Sequence, residues 1–512
     1  MSDLLDLPPG WCYSNLEEVA RSFGGGTPSK SDPTFWTDGT IPWVSPKDMK
    51  TFNVTSSEDR LADKALDRLS LIPAESVLVV VRSGILSRTL PVALNSLPVT
   101  INQDMRAFVP EGGVSAQYLA WQLMAKEREV LSKCSKDGTT VASIEGPALA
   151  RFPLTVAPAA QQTRIVAKVE ELLSDLDAGV AELKAAQKTL VQYRQSLLKA
   201  AVEGALTADW RAKHQPAETG AQLLERILVE RRARWEAKQL AKFKEQGKAP
   251  PKDWKAKYAE PVQPDTTELP ALPVGWVWAS VEQLGHVQLG RQRSPDKVGG
   301  ANPTPYIRAA NITEAGVDLT DVLEMDFSED ERKSFQLHVG DVLLTEASGS
   351  AEHVGRPAIW KHPSGAYCFQ NTVLRFTPHG ISSEFSFYSF LAMQKLGVFR
   401  KLSGGVGINH LSAGKFSKLP VPLPPLAEQM ALVELVEQGF AAVANQESVI
   451  VVSLKQSTAQ RLNILRAAFT GQLVPQDPND EPASALLARI RAERAAREAV
   501  SKPRGRKAKE AV

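Results

Sequence analysis

Apolar residues recur every seven positions along two long stretches of this chain. Val169, Leu176, Leu183, Leu190 and Leu197 form one seam, with Leu172, Ala186, Tyr193 and Ala200 at the complementary heptad position. Val436, Val443, Ile450 and Ile464 repeat the same phase further on, with Ser457 as the exception. Such regularity predicts a coiled coil; a long amphipathic helix packed on its own domain is the alternative. Each stretch opens after a proline-rich stop, FPLTVAPAAQQ from Phe152 and LPVPLPPLAEQ from Leu419. Proline suits the first turn of a helix but not its interior, so a helix starts just there. Gly204 and Gly471 stand where a helix C-cap would. About 45 residues at 1.5 Å rise make a rod of roughly 65–70 Å. Two similar helices in one chain can pair. An antiparallel pair would carry a globular domain at each end, related by a pseudo-two-fold axis.

Upstream of each helix the pattern changes to short β-branched runs punctuated by Gly, Pro, Asn and Asp. VLVVVRSG from Val77 and GDVLLTEASG from Gly340 read as buried strands entering a loop. YLAWQLMAKEREVL from Tyr118 and SFYSFLAMQKLGVF from Ser386 read as single helices. The similarity between the halves is an internal repeat. LPPGWCYSNLEEV from Leu7 returns as LPVGWVWASVEQL from Leu272, an offset of 265. From Ile144 to Leu206 one offset of 267 holds without a gap, matching Pro153 to Pro420, Gln162 to Gln429, Arg194 to Arg461 and Gly204 to Gly471. AQLLERILVERRARW from Ala221 resembles SALLARIRAERAARE from Ser484. The expected fold is α+β, with two repeated domains joined by two long helices that pair as an antiparallel coiled coil. The expected domains are 7–155 and 271–422 as globular domains, 156–207 and 423–474 as long helices, 208–270 as a helical and basic linker, and 475–512 as a helical and basic tail.

Composition adds little to this picture and charge somewhat more. Among 512 residues 43% are hydrophobic and 23% charged, ordinary for a globular protein. No apolar run reaches the roughly 18 residues that span a bilayer, and the acidic start MSDLLDLPPGW is unlike a signal peptide, so a cytoplasmic protein is expected. Cys12, Cys134 and Cys368 form neither a disulfide framework nor a metal-ligand spacing. Residues 207–260 hold 13 Lys and Arg against 8 Asp and Glu, and residues 489–512 hold 9 against 3, while the whole chain is only +2. The bulk of the protein is therefore not a basic binding module.

The stretch FGGGTPSKS from Phe23 is close to a phosphate-binding loop, but it fails on inspection. Ser29 stands where the second glycine belongs, and Pro28 removes an amide where amides must cradle phosphate. No apolar strand precedes it, and the second copy, QLGRQRSPDK, keeps only Gly290 and Pro295 of the pattern. The expected role is a polar loop carrying Thr27 and Lys30 in one half and Arg291 and Arg293 in the other. An amino-methyltransferase would show Asn/Asp-Pro-Pro-aromatic, yet the three Pro-Pro pairs precede Gly10, Lys252 and Leu426. The seven histidines lack metal spacing, and the charge run Glu329–Lys333 reads as a solvated helix face. The chain is expected to be non-catalytic. A DNA adenine methyltransferase or nuclease with an unrecognised site is the rival reading.

The duplicated LPxGW opening, the GGGTPS loop, the two helix starts and LLERILVERRARW together resemble the specificity subunit of type I restriction–modification enzymes, over nearly the whole chain. The resemblance implies that each globular part reads one half of a bipartite DNA site. It implies that the paired helices, through Val169, Leu176, Leu183, Leu190, Leu197, Val436, Val443, Ile450 and Ile464, fix the gap and dock two modification subunits. S-adenosylmethionine would then sit in those partners, which methylate a flipped-out adenine. Two restriction subunits would add ATP- and Mg-dependent translocation and cleavage. The final SKPRGRKAKEAV is a basic tail, giving either weak DNA attraction or mere solubility. Bases are read by Arg, Lys, Asn and Gln, with Ser and Thr assisting. The candidates on expected loops are Thr27, Lys30, Lys47, Arg82, Gln103 and Thr139 in the first half, and Arg291, Arg308, Asn311, Ser348, Gln370 and Asn409 in the second. Trp36, Trp43, Trp121 and Trp360 are expected in the core rather than as stacking platforms.

Overall fold

The computed structural model describes residues 7–136, 142–292, 302–348, 350, 352–365, 367–402 and 409–501. Thr139, Arg293 and the basic stretch after residue 501 lie outside them. The chain forms two compact units, one from Met1–Lys184 with Val451–Val512 and the other from Ala185–Ile450.

In the first unit the apolar run Val77–Val80 is the central strand of a five-stranded sheet, ordered Ala20–Gly24, Met105–Pro110, Val77–Val80, Val92–Asn95, Asn53–Val54. The run is apolar throughout because core covers both faces. Val77 and Val79 join a cluster with Tyr118 and Leu119, while Leu78 and Val80 join another with Val44 and Ile101. A three-stranded sheet of Asp59–Leu61, Ile41–Val44 and Thr100–Ile101 adjoins it, its last pair parallel. The second unit repeats the plan. Gly285–Leu289, Val373–Pro378, Val342–Thr345 and Pro357–Ile359 make a four-stranded sheet. Leu323–Asp326, Pro303–Ile307 and Cys368–Phe369 make the smaller sheet, again with a parallel last pair. In both units the strand after the LPxGW motif pairs antiparallel with the strand just before a long helix: Cys12–Asn15 with Pro153–Val156, and Val277–Ser280 with Pro420–Leu423. That pairing fixes where each helix departs.

The long helices are Ala159–Val202 and Leu426–Phe469, 44 residues each, starting behind the proline stops as expected. Each gives one end to each unit. In the first unit Ile165, Val169 and Leu173 share a core with Leu465, Ala468 and Phe469, and Arg461 bonds to Asp177. In the second, Leu198 and Ala201 share a core with Leu432 and Val436, and Arg194 meets Glu447 at 3.0 Å. Rising numbers on one helix meet falling numbers on the other, so the pairing is antiparallel in both. Val169, Leu197, Val436, Val443 and Ile450 are buried, while Leu176, Leu183, Leu190 and Ile464 are half-buried. The buried five line the seam between the two helices, as a coiled coil requires, and the half-buried four keep part of their surface outside it. Two expected single helices are also broken. One splits into Ala116–Ala125 and Glu127–Cys134, the other into Ser383–Lys395 and Val398–Leu402, where Gly397 takes φ +80°.

Gly204 and Gly471 both end their helices at φ +74°, a left-handed value that glycine adopts without strain. A Cβ on Gly204 would overlap Pro273, and one on Gly471 would overlap Pro8, so each helix end seats on an LPxGW motif. The groups that hold this seat differ between the units. In the second, Arg211 donates to the Gly204 carbonyl at 2.7 Å and pairs with Glu428, which is fully buried and also accepts from Thr207 at 2.6 Å. In the first, Gln476 donates to the Gly471 carbonyl at 2.9 Å and accepts from Gln161 at 2.8 Å, the residue aligned with Glu428. An ion pair in one repeat is thus an amide pair in the other. Gln162 and Gln429 are buried beside these groups, donating to the carbonyls of Ala157 and Pro424.

The linker helix Gly220–Glu245 and the tail helix Ala483–Ser501 dock alike on the two domains. Gly220 N donates to the Gly275 carbonyl at 2.7 Å, and Ala483 N to the Gly10 carbonyl at 2.8 Å. Ile227 presses on Gly380, and Ile490 on Gly112, positions where any side chain would collide. Leu486, Leu487 and Ile490 are core residues of the first unit, each contributing about 1.5–3 kcal/mol of burial. The expected tail is to that extent part of the first domain.

Candidate nucleic-acid interface

The glycine loop is explained by close approach. Gly25 lies so near the Ile101 and Asn102 carbonyls that a Cβ would overlap both, and Gly290 lies likewise against the Gln370 carbonyl. The Gly26 amide, which a phosphate loop would offer to its ligand, donates instead to the Ile101 carbonyl at 3.0 Å. Two tryptophans tie the carbonyls down: Trp43 Nε1 to Gly26 and Trp36 Nε1 to Ser29, both at 3.0 Å. Trp43, Trp121 and Trp360 are buried, and Trp36 packs edge-on against Trp43 at 5.4 Å. What the loop presents outward is Thr27 and Lys30, both exposed. The Thr27 hydroxyl donates to the Gln103 side-chain carbonyl, which joins two candidates 76 positions apart.

Gln103 also lines a cleft of about 510 Å³ with Arg82, Arg106, Lys136, Ser143 and Glu145. Arg82 follows the strand Val77–Val80, is bridged to Ser143, and keeps its side chain 61% exposed, 3.9 Å from Asp104. Arg106 is steadied by Ser22 at 3.0 Å. Three cations against two carboxylates, Glu145 and Asp104, with an amide at the rim, can meet phosphate and hydrogen-bond base edges. Arg106 and Lys136 escaped the sequence reading. The available signal was an arginine inside the otherwise apolar strand Met105–Pro110. Lys47 is less available: it is exposed but engaged by Asp59 at 2.9 Å and Glu58 at 3.2 Å, whose hydrogen bonds raise its pKa.

The second unit uses several of its candidates internally. Arg291 is only 7% exposed, bonding to Glu331 at 2.8 Å and to the Asp326 carbonyl at 3.0 Å beneath the Phe327 ring. Asn311 is buried, holding a turn through the Asp318 and Asp321 carbonyls and the Arg308 amide. Both are corrections, since neither side chain reaches a groove. Arg308 pairs with Asp321 and is mostly covered. Ser348 sits in the short strand pair Ala347–Ser348 with Asn409–His410, where Ser348 faces Asn409 in register. At offsets of 265 and 267 this pair is the counterpart of the Arg82–Ser143 bridge. Beside it His410 meets Glu346 at 3.3 Å. Gln370 is half-buried at the rim, its amide donating to Ile307 at 2.9 Å. Among the described residues the same edge is thus basic in one unit and near-neutral in the other. Among the described residues, no three His, Cys, Asp or Glu side chains gather as a metal site, and no helix is long and apolar enough to cross a membrane.

Comparison with known proteins gives a consistent result. The model of the type I restriction modification DNA specificity domain matches residues 8–190 and again 273–449. The EcoR124I/EcoR124II specificity subunit of Escherichia coli is 39% identical over 191 residues, 36% of this chain and 47% of that protein. The StySPI specificity subunit of Salmonella potsdam is 24% identical over 507 residues, 96% of each chain. Among solved structures, a chain from a study of type I R-M complex assembly and conformational transition aligns with a TM-score of 0.62 at 16% identity, covering 91% of this chain and 99% of its own. The HsdS subunit from Thermoanaerobacter tengcongensis aligns at 0.55, also at 16%, covering 92% and 99%. At that identity the structural likeness establishes the fold.

Proposed function

We propose a division of reading labour within this chain, which belongs to the type I restriction–modification DNA specificity family: each unit reads one half of a bipartite site. The observation that carries this is divergence on a fixed frame. Arg82 and Ser143 occupy one bridge, and Ala347 and His410 occupy its counterpart, while the surrounding strands keep their register. A frame that is duplicated and an edge that is not suit two different base sequences. In the first unit the readers are Thr27, Lys30, Arg82 and Gln103, with Arg106 and Lys136 holding phosphates. In the second they are Ser348 and Gln370; the side chain of Asn409, the remaining candidate there, lies outside the described residues.

The chain acts as a non-catalytic subunit. Methylation belongs to two modification subunits carrying S-adenosylmethionine, and cleavage to two restriction subunits using ATP and Mg. In the second unit the long helices also offer docking through Val191, Tyr193 and Val449, which stay exposed. The test is a domain swap. Residues 10–155 are replaced by the same region of a relative, and N6-methyladenine is mapped across the host genome with the modification partner present. One half-site should change and the other persist. A change in both, or methylation by this chain alone, refutes the reading.

A further inference from the structure

The most basic described segment lies outside both reading edges. Between Lys238 and Lys257 there are seven lysines and two acids. All seven lysines are exposed, and among the described residues only Lys255 has a carboxylate partner, Glu236 at 3.0 Å. The segment is nonetheless built. Trp235 stacks on Trp254 at 5.8 Å and meets Tyr258 edge-on at 5.3 Å, while Phe243 closes on Trp254 at 6.2 Å. These four aromatics are half-buried among themselves and fold the chain after the linker helix back along it. Lysines fill the outside of that fold.

Its position is set by Arg231, which donates to the carbonyls of Glu282 and Gly285 at the start of strand Gly285–Leu289. That strand is the edge of the second unit's sheet and leads into the Gly290–Arg291 loop against Gln370. Lys238 adds to the burial and the Arg375 and Arg231 charges that hold His286 below its ordinary pKa, and Glu245 acts on Lys333 in the helix Glu329–Phe335. That helix packs on the strand Cys368–Phe369, next to Gln370.

We infer that residues 238–257 form a phosphate-binding arm, which grips the backbone of duplex DNA beside the half-site read by the second unit. The inference rests on the reading proposed above. Unpaired ammonium groups on flexible stems suit phosphates rather than base edges, so the arm adds affinity without sequence preference. It also adds positive charge beside an edge that is near-neutral among the described residues.

The test uses the full chain with Lys242, Lys244, Lys248 and Lys252 changed to Gln, and a second variant with the same four changed to Arg. Binding is followed by fluorescence anisotropy across a salt titration. One labelled duplex carries the motif mapped by methylation sequencing and another a scrambled sequence. Each lysine that meets a phosphate contributes about 0.9 to the slope of log K against log salt, so the Gln variant should lose about 3 to 4. It should lose this on both duplexes, with the ratio of their affinities unchanged, and the Arg variant should keep the original slope. An unchanged slope in a Gln variant that melts like the parent overturns the inference. So does a Gln variant that binds DNA normally but no longer captures a partner subunit, since the arm would then serve a protein. Failure of the underlying reading looks different: the parent chain would not prefer the mapped motif at all.

Discussion

Replacing Arg211 with Gln asks how a buried charge is held at a helix end. Glu428 is fully buried and Arg211 is its cationic partner, with Thr207 supplying a hydroxyl and the Gly204 carbonyl taking the second guanidinium nitrogen. R211Q leaves the carboxylate without a counter-charge, at a cost of about 3–5 kcal/mol. The other repeat shows a neutral solution at the same place, Gln161 with Gln476. R211Q/E428Q imitates it, exchanging a charge pair for amide hydrogen bonds of about 1 kcal/mol each. The double variant should therefore lie within about 2 kcal/mol of the parent, less damaged than R211Q alone. The second change then recovers at least about 1–3 kcal/mol of what R211Q loses, and E428Q, measured alone, completes the cycle, whose coupling should exceed the roughly 0.5 kcal/mol that independent sites show. Hydrogen exchange of peptides spanning 200–215 reads the local opening energy, and the matching peptides at 467–482 are an internal control. The reasoning fails if R211Q costs under about 1 kcal/mol, if the double variant is worse than the single, or if the control peptides move equally.

Two other expectations are simpler. Gly25→Ala drives a methyl into the Ile101 and Asn102 carbonyls and should cost about 1–3 kcal/mol while blurring one half-site only. Gly24→Ala, with open space around its position, should do neither, and thermal melts plus methylation maps that treat the two alike would refute the close-approach account. His379 is pushed down to about 4, first by burial and then by Arg234 and Arg231, against about 6.5 in an unfolded chain. Between those values the unfolded chain holds a proton that the folded chain refuses, so stability rises with pH across the window and is lost as pH falls through it. Solvent reaching the ring reduces the effect to about 1–2 kcal/mol. Urea midpoints taken between about pH 4 and pH 7 should flatten in His379→Leu, and an unflattened curve contradicts the assignment.

Periodicity carried much of this fold. The heptad seam, the helix starts behind proline and the glycines ending both helices follow from local rules, and duplication let each half vouch for the other. Long-range partners were another matter. Arg291 looked like a loop cation because Glu331, its partner 40 positions on, leaves no trace near it. Asn311 looked like a reader, although its side chain holds the Arg308 amide and the Asp318 and Asp321 carbonyls of its own turn. Arg106 lies in a strand that is otherwise apolar, where periodicity points to core rather than to a contact. Trp11 signalled a motif without a reason until Gln161 and Gln476 met its indole at 3.0 and 3.2 Å.

The first unit is assembled from the two ends of the chain, the second from its continuous middle. On a ribosome this reverses the usual order of completion. The first part of that unit emerges before the middle one, yet Leu465, Phe469, Leu486 and Ile490, which close its core, are translated after it. At about 5–20 residues per second, the stretch separating its two parts takes on the order of 13–50 s to synthesise. Through that interval the middle unit can finish while the first-made one stands open, its apolar face uncovered. A nascent chain of this protein is therefore most in need of a chaperone at its oldest part.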